Sequence, residues 1–125
     1  LDAAEDFHTR SLAIEEALGR KEGMAADLGN LGLIARRRGD LDAAEDFHTR
    51  SLAIEEALGR KEGIAAELGN LGAVAQTRGD VAEACRLWSE ALALYRQIGA
   101  RPEIELVSGW LREHGRPDAP PEDAA

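Results

Sequence analysis

Apolar residues recur along this chain at intervals of three and four. Between Glu22 and Asp40, the residues Met24, Leu28, Leu31 and Ala35 fall at i, i+4, i+7 and i+11, which puts them on one stripe of a helix. In the next segment Leu41, Ala44, Phe47, Ser51, Leu52, Ile54 and Leu58 spread over about half the circumference at roughly 100° per residue. So wide an arc has to touch two neighbours. We call helices with the narrow stripe first-type and those with the wide arc second-type. Gly39 and Gly59 stand where each pattern stops, the place of a left-handed helix cap, and Asp40 is placed to cap the next helix. The pattern predicts second-type helices near residues 2–18, 42–58 and 82–98, first-type helices near 22–38 and 62–78, and a last helix near 102–114, with GRKEG as the short connector.

The pattern also repeats. Residues 1–40 laid over 41–80 match at 34 of 40 positions, the six exceptions being Met24/Ile64, Asp27/Glu67, Leu33/Ala73, Ile34/Val74, Arg36/Gln76 and Arg37/Thr77. A third, diverged copy starts at Val81, with its small and apolar positions in step. A fixed period of this length signals stacked units, none of which buries its apolar face alone. The expected fold is all-α, an α-solenoid of antiparallel helix hairpins. It forms one domain over 1–115, made of a partial unit 1–20, full units 21–60 and 61–100, and a terminal helix 101–115. In that last helix Trp110 and Leu106 are expected to close the core. Residues 116–125, rich in proline and acid, have nothing to bury and are expected to be a disordered tail.

The residues of LGNLGLIARRRGDLDAAEDFHTRSLAIEEALG, from Leu28, resemble a tetratricopeptide repeat: Leu31-Gly32 in the first helix, Gly39-Asp40 at the turn, Ala44 and Ser51 at the small positions of the second. The unit of 40 residues is similar to the long repeats of kinesin light chains and of spindle-orientation adaptors carrying Leu-Gly-Asn repeats. The resemblance implies a right-handed superhelix whose first helices line a concave groove, and asparagines there that hold ligand peptides. It departs from the family pattern at Leu28 and Ala35, where aromatics are usual, and at Glu56, where a proline is.

Composition narrows the function. The 125 residues are 44 % hydrophobic and 31 % charged, with no apolar run long enough to cross a membrane, and the sequence starts without Met or a leader pattern, so it reads as a soluble piece of something longer. A formal charge of −9 disfavours nucleic-acid and anionic-membrane binding, which need clustered Lys and Arg. Cys85 is the single cysteine, so no internal disulfide forms; that fits a cytoplasmic location, and Cys85 reads as a small side chain on a helix flank. No Ser-His-Asp set, HExxH, CxxC or phosphate loop is present; the chain is expected to be a non-enzyme with no cofactor and no metal.

Three places are candidates for function. On the first-type helices, Ala26, Asn30, Leu33 and Arg37, flanked by Arg36, lie about 160° from the core stripe, with Ala66, Asn70, Ala73, Thr77 and Gln76 as their counterparts. A row of carboxamides both donates to and accepts from the backbone of an extended peptide, so this face is the expected peptide-binding groove, with Arg36 and Arg37 pairing an acidic side chain. Of the six differences between copies, Leu33/Ala73, Arg36/Gln76 and Arg37/Thr77 fall on or beside it. The second place is His48, Ser51 and Glu55, echoed by His8, Ser11 and Glu15; it reads as a polar seam, because histidines a helix spacing of about 8–10 Å apart do not share an ion. The third is the end of the stack: Leu1, Ala4, Phe7, Leu12 and Ile14 include an apolar face with no first-type helix of its own unit, which invites self-association unless preceding repeats cover it. The expected function is a scaffold for a protein or peptide partner. The alternatives are an array that self-assembles end to end and a sensor segment of a larger protein. Within the groove segment, Gly32 is expected to admit a neighbouring helix backbone, and Gly29 to keep the groove edge open.

Overall fold

The protein is described by a computed structural model covering residues 2–115, in which six helices follow one another. They are α1 (Ala3–Leu18), α2 (Lys21–Arg37), α3 (Leu41–Leu58), α4 (Lys61–Thr77), α5 (Val81–Ile98) and α6 (Arg101–His114). Their bounds lie within one residue of those predicted from the pattern, and the described chain is an all-α helical repeat solenoid. The tail expected over 116–125 lies outside the described residues, as does Leu1 of the end-face prediction.

The repeated caps explain why the bounds were legible. Asp2, Asp40 and Asp80 each accept a backbone N–H bond at the start of a second-type helix, from Ala4, Ala43 and Glu83. Gly59 ends α3 at φ 69°, a left-handed conformation that costs a residue with a Cβ about 1–2 kcal/mol. First-type helices end two residues before such a glycine: Arg38 caps α2 and Gly39 takes φ 81°.

Each helix packs on its chain neighbours, and α2 also touches α4 across the repeat. The core lies between the layers of first-type and second-type helices. The predicted stripe faces it: Leu28, Leu31 and Ala35 are buried and Met24 is half-buried against Leu12 and Leu28. On the rim, Arg38 reaches Glu5 at 2.8 Å and Arg78 reaches Asp42 at 2.7 Å, so the same arginine ties its helix to the preceding second-type helix in both units. Such exposed pairs are worth at most about 1 kcal/mol each.

At the far end Val107 is buried and Trp110 packs on Trp88 with ring centroids 5.5 Å apart and the rings tilted by 43°. Leu106 does not share this role as expected; it is 53 % exposed. It stands one repeat after Ala66, at a position that turns away from the core, and Val107 fills the place instead.

Candidate functional site

The face predicted to bind a peptide is built by α2 and α4, which touch each other. Ala26, Asn30 and Arg37 on α2 are exposed, and Leu33 and Arg36 are half-buried. On α4, Ala66 and Thr77 are exposed, and Asn70, Ala73 and Gln76 are half-buried. None of the ten is in the core. The Asn30 carboxamide donates to the Ala26 carbonyl at 3.0 Å, and that of Asn70 donates to Glu67 Oε1 at 3.3 Å. Neither amide oxygen accepts a hydrogen bond among the described residues, so each retains an acceptor and a second N–H. Thr77 spends its hydroxyl on the Ala73 carbonyl at 2.9 Å, which removes it as a free donor. Arg36 and Arg37 make no ion pair among the described residues and extend from the last turn of α2, where the helix dipole favours cations. Leu106, on α6, stands one repeat beyond Ala66 and 53 % exposed, so it continues the row of Ala26 and Ala66 with a larger apolar side chain. Sequence reasoning had assigned it to the core.

Behind this face lies the polar seam, and it is more buried than its residue types suggest. His48 and Ser51 are fully buried on α3, and Glu55 nearly so. The His48 ring meets Glu67 of α4, Nδ1 to Oε1 at 2.8 Å. The Glu67 carboxylate accepts from Nδ1–H, while Nε2 is buried and has no hydrogen-bond partner among the described residues. Ser51 lies 2.9 Å from the Ala25 carbonyl and 3.0 Å from Glu67 Oε2, one hydroxyl proton shared between two acceptors. The preceding unit repeats the pair as His8 Nδ1 to Asp27 Oδ1 at 2.9 Å. Each pair joins a second-type helix to the next first-type helix, so it fixes how one repeat sits on the following one.

Glu67 and Asp27 were missed as members of the seam. The signal for them was present in the third copy, where Trp88 replaces His48 while Val107 replaces Glu67. Both partners turn apolar together, as contacting residues do. Glu55 belongs to a different contact: it is bound by Arg60 at 2.7 and 2.9 Å and rests on Gly63. That carboxylate raises the pKa of the Arg60 guanidinium further above its ordinary value.

Two glycine readings need correction. Gly32 faces a side chain, not a helix backbone: a methyl group there would stand 2.6 Å from the His48 ring. Gly29 is buried rather than at the groove edge, and a methyl group there would stand 2.8 Å from Glu67 Oε2. The glycines exist because the seam side chains occupy the space of their missing Cβ atoms. Gly72 serves the Trp88 indole in the same way.

At the stack end, Phe7 is 65 % and Ile14 58 % exposed, and Ala4 is exposed as well. Leu12 is a correction: it is buried against Leu28 and Leu31, because its side of α1 faces α2. The α3 counterparts Phe47 and Ile54 pack on that same cluster. The exposed face therefore has the residues that a first-type helix covers one unit later.

Among the described residues no group of three His, Cys, Asp or Glu side chains is placed to hold a metal ion. No described helix is long and apolar enough to cross a membrane. Cys85 is half-buried, with its sulfur 3.6 Å from the His114 carbonyl. Two family models, both described as tetratricopeptide repeat, match the chain, one over residues 1–57 and the other over 65–98. No curated protein matches it significantly.

Proposed function

Because the chain belongs to the tetratricopeptide repeat family, we propose that it is a protein-interaction scaffold holding an extended peptide across α2 and α4. Repeats of this family generally serve as protein-interaction scaffolds and are typically not enzymes. The observation that carries the finer reading is the pair Asn30 and Asn70. They stand at the same place on two touching helices, outside the core, with amide oxygens unengaged. Each carboxamide takes a backbone N–H of the ligand and returns an N–H to its carbonyl, which orders an extended chain whatever its side chains. Arg36 and Arg37 add charge-assisted bonds to an acidic side chain near one end. Leu33 and Leu106 supply the apolar contacts, and no group in this reading performs chemistry on the ligand.

The test starts from peptides selected out of a random 12-residue library on the immobilised protein. The Asn30→Ala/Asn70→Ala double variant is expected to bind the selected peptides at least tenfold more weakly by calorimetry, with an unchanged helical circular-dichroism spectrum. Equal affinity would remove the groove assignment.

Self-association is the second reading, favoured by the exposed Phe7 and Ile14. It does not extend to an end-to-end array. On α6, Glu105, Ser108 and Arg112 stand where α4 has Ala65, Leu68 and Gly72, so the face that would receive another second-type helix is polar. Any association is then pairwise through α1. Light scattering against concentration is expected to saturate at twice the monomer mass, and at the monomer mass for Phe7→Asp; unlimited growth would contradict the polar cap.

A further inference from the structure

A notch lined by none of the ten residues of the asparagine face lies between α3 and α5. Its floor is α4, its volume is about 580 Å³, and Leu52, Leu71 and Leu87 are among the apolar residues lining it. The equivalent place one unit earlier, between α1 and α3, is the internal reference. There Phe47 packs on Leu12, Leu28 and Leu31, and all three leucines are buried. One repeat later Leu87 stands where Phe47 stood, and Leu52 and Leu71, the counterparts of Leu12 and Leu31, are left half-buried. Elsewhere on the apolar floor the two units differ only at Ile34/Val74, so the lost phenyl ring is what opens the floor; on the α5 wall Glu83, Arg86 and Glu90 stand for Ala43, Asp46 and Arg50, so the rim changes as well.

The rim is acidic. Arg78 sits between Asp42 and Glu45, and Arg86 between Glu83 and Glu90, so each arginine is outnumbered by the carboxylates it pairs with. Glu56, also on the rim, is exposed and makes no ion pair among the described residues. A socket for an aromatic ring with a negative rim selects a ring flanked by cations.

We infer that the α3–α5 notch is a second docking site, which takes an aromatic side chain flanked by Lys or Arg from a partner protein. It is independent of the asparagine face, which calls for the opposite ligand charge. A second copy of this chain is the poorer occupant: its exposed Phe7 is preceded by Glu5 and Asp6, and the chain carries a formal charge of −9.

The probe is the capped peptide Lys-Lys-Phe-Lys-Lys, titrated into the whole protein while the leucine methyl signals are followed by NMR. The peptide is expected to shift the Leu52, Leu71 and Leu87 methyls, and the same peptide with Ala for Phe to bind at least tenfold more weakly. Leu87→Phe, which restores the residue type found at Phe47, is expected to fold normally and weaken binding at least tenfold. Glu56→Lys, an exposed change that leaves the floor intact, is expected to weaken it about threefold to tenfold. Equal binding of the Phe and Ala peptides, or unchanged binding by both variants, overturns the proposal. So does self-association of the wild type, seen by light scattering and lost in Leu87→Phe, since that makes a second copy the occupant.

Discussion

Replacing His48 with alanine is expected to destabilise the protein by about 3–5 kcal/mol, the cost of leaving one member of a buried pair uncompensated. The imidazole is fully buried and is the partner of Glu67 at 2.8 Å. Without it the carboxylate keeps only the Ser51 hydroxyl at 3.0 Å and a longer contact from Asn70 at 3.3 Å, in a place water does not reach freely. The loss falls on the junction of α3 and α4, so urea unfolding should show it as a lower midpoint and, because repeats couple only to neighbours, as reduced cooperativity. The same junction has an apolar solution in the next unit, where Trp88, Ala91 and Val107, all buried, stand for His48, Ser51 and Glu67. Carrying all three changes into the earlier unit, His48→Trp/Ser51→Ala/Glu67→Val, is expected to leave stability within about 1 kcal/mol of wild type, since replacing all partners of a buried hydrogen-bonded set by packed apolar groups is often nearly neutral. A cost below 1 kcal/mol for His48→Ala alone would mean that the pair is not buried in solution.

Gly32→Leu is expected to cost about 1–3 kcal/mol through overpacking, and the sign is the informative part. On propensity alone, leucine in place of a helical glycine should stabilise by somewhat under 1 kcal/mol. Packing wins because a Cβ at this position stands 2.6 Å from the His48 ring, and that ring is fully buried and held by Glu67. The two effects separate in a double-mutant cycle. In the His48→Ala background the imidazole is gone, so Gly32→Leu should cost less than it does in the wild type, by 1 kcal/mol or more. Additive costs would show that Gly32 answers to some contact other than His48.

Much of this architecture was legible because local and repeated signals agreed. The aspartate and glycine at the helix ends are read by the backbone itself, so they place boundaries without reference to the rest of the fold. The stripe of Leu28, Leu31 and Ala35 needed only the helical period, and so did the placement of Asn30 and Asn70 on the opposite side. The residues that escaped depend on another helix. Nothing within α4 distinguishes Glu67, which is buried, from Glu62, which is exposed; His48 of α3 makes the difference. Gly29 and Gly32 were misread for the same reason, since the glycine records a neighbour's side chain and not its own helix. Leu106 was misplaced because α6 carries two adjacent apolar residues, Leu106 and Val107, and its own pattern does not say which of them points inward.

The central claim is that a ligand lies across α2 and α4 on the asparagine face. Its most direct test is NMR on the ¹⁵N-labelled wild type with a library-selected peptide, following the side-chain amide signals of Asn30 and Asn70. Both pairs of signals are predicted to move together and saturate with the same dissociation constant, while the exposed Thr49 and Glu90 amides, on second-type helices, stay in place. Saturable shifts confined to second-type helices, with Asn30 and Asn70 unmoved, would contradict it.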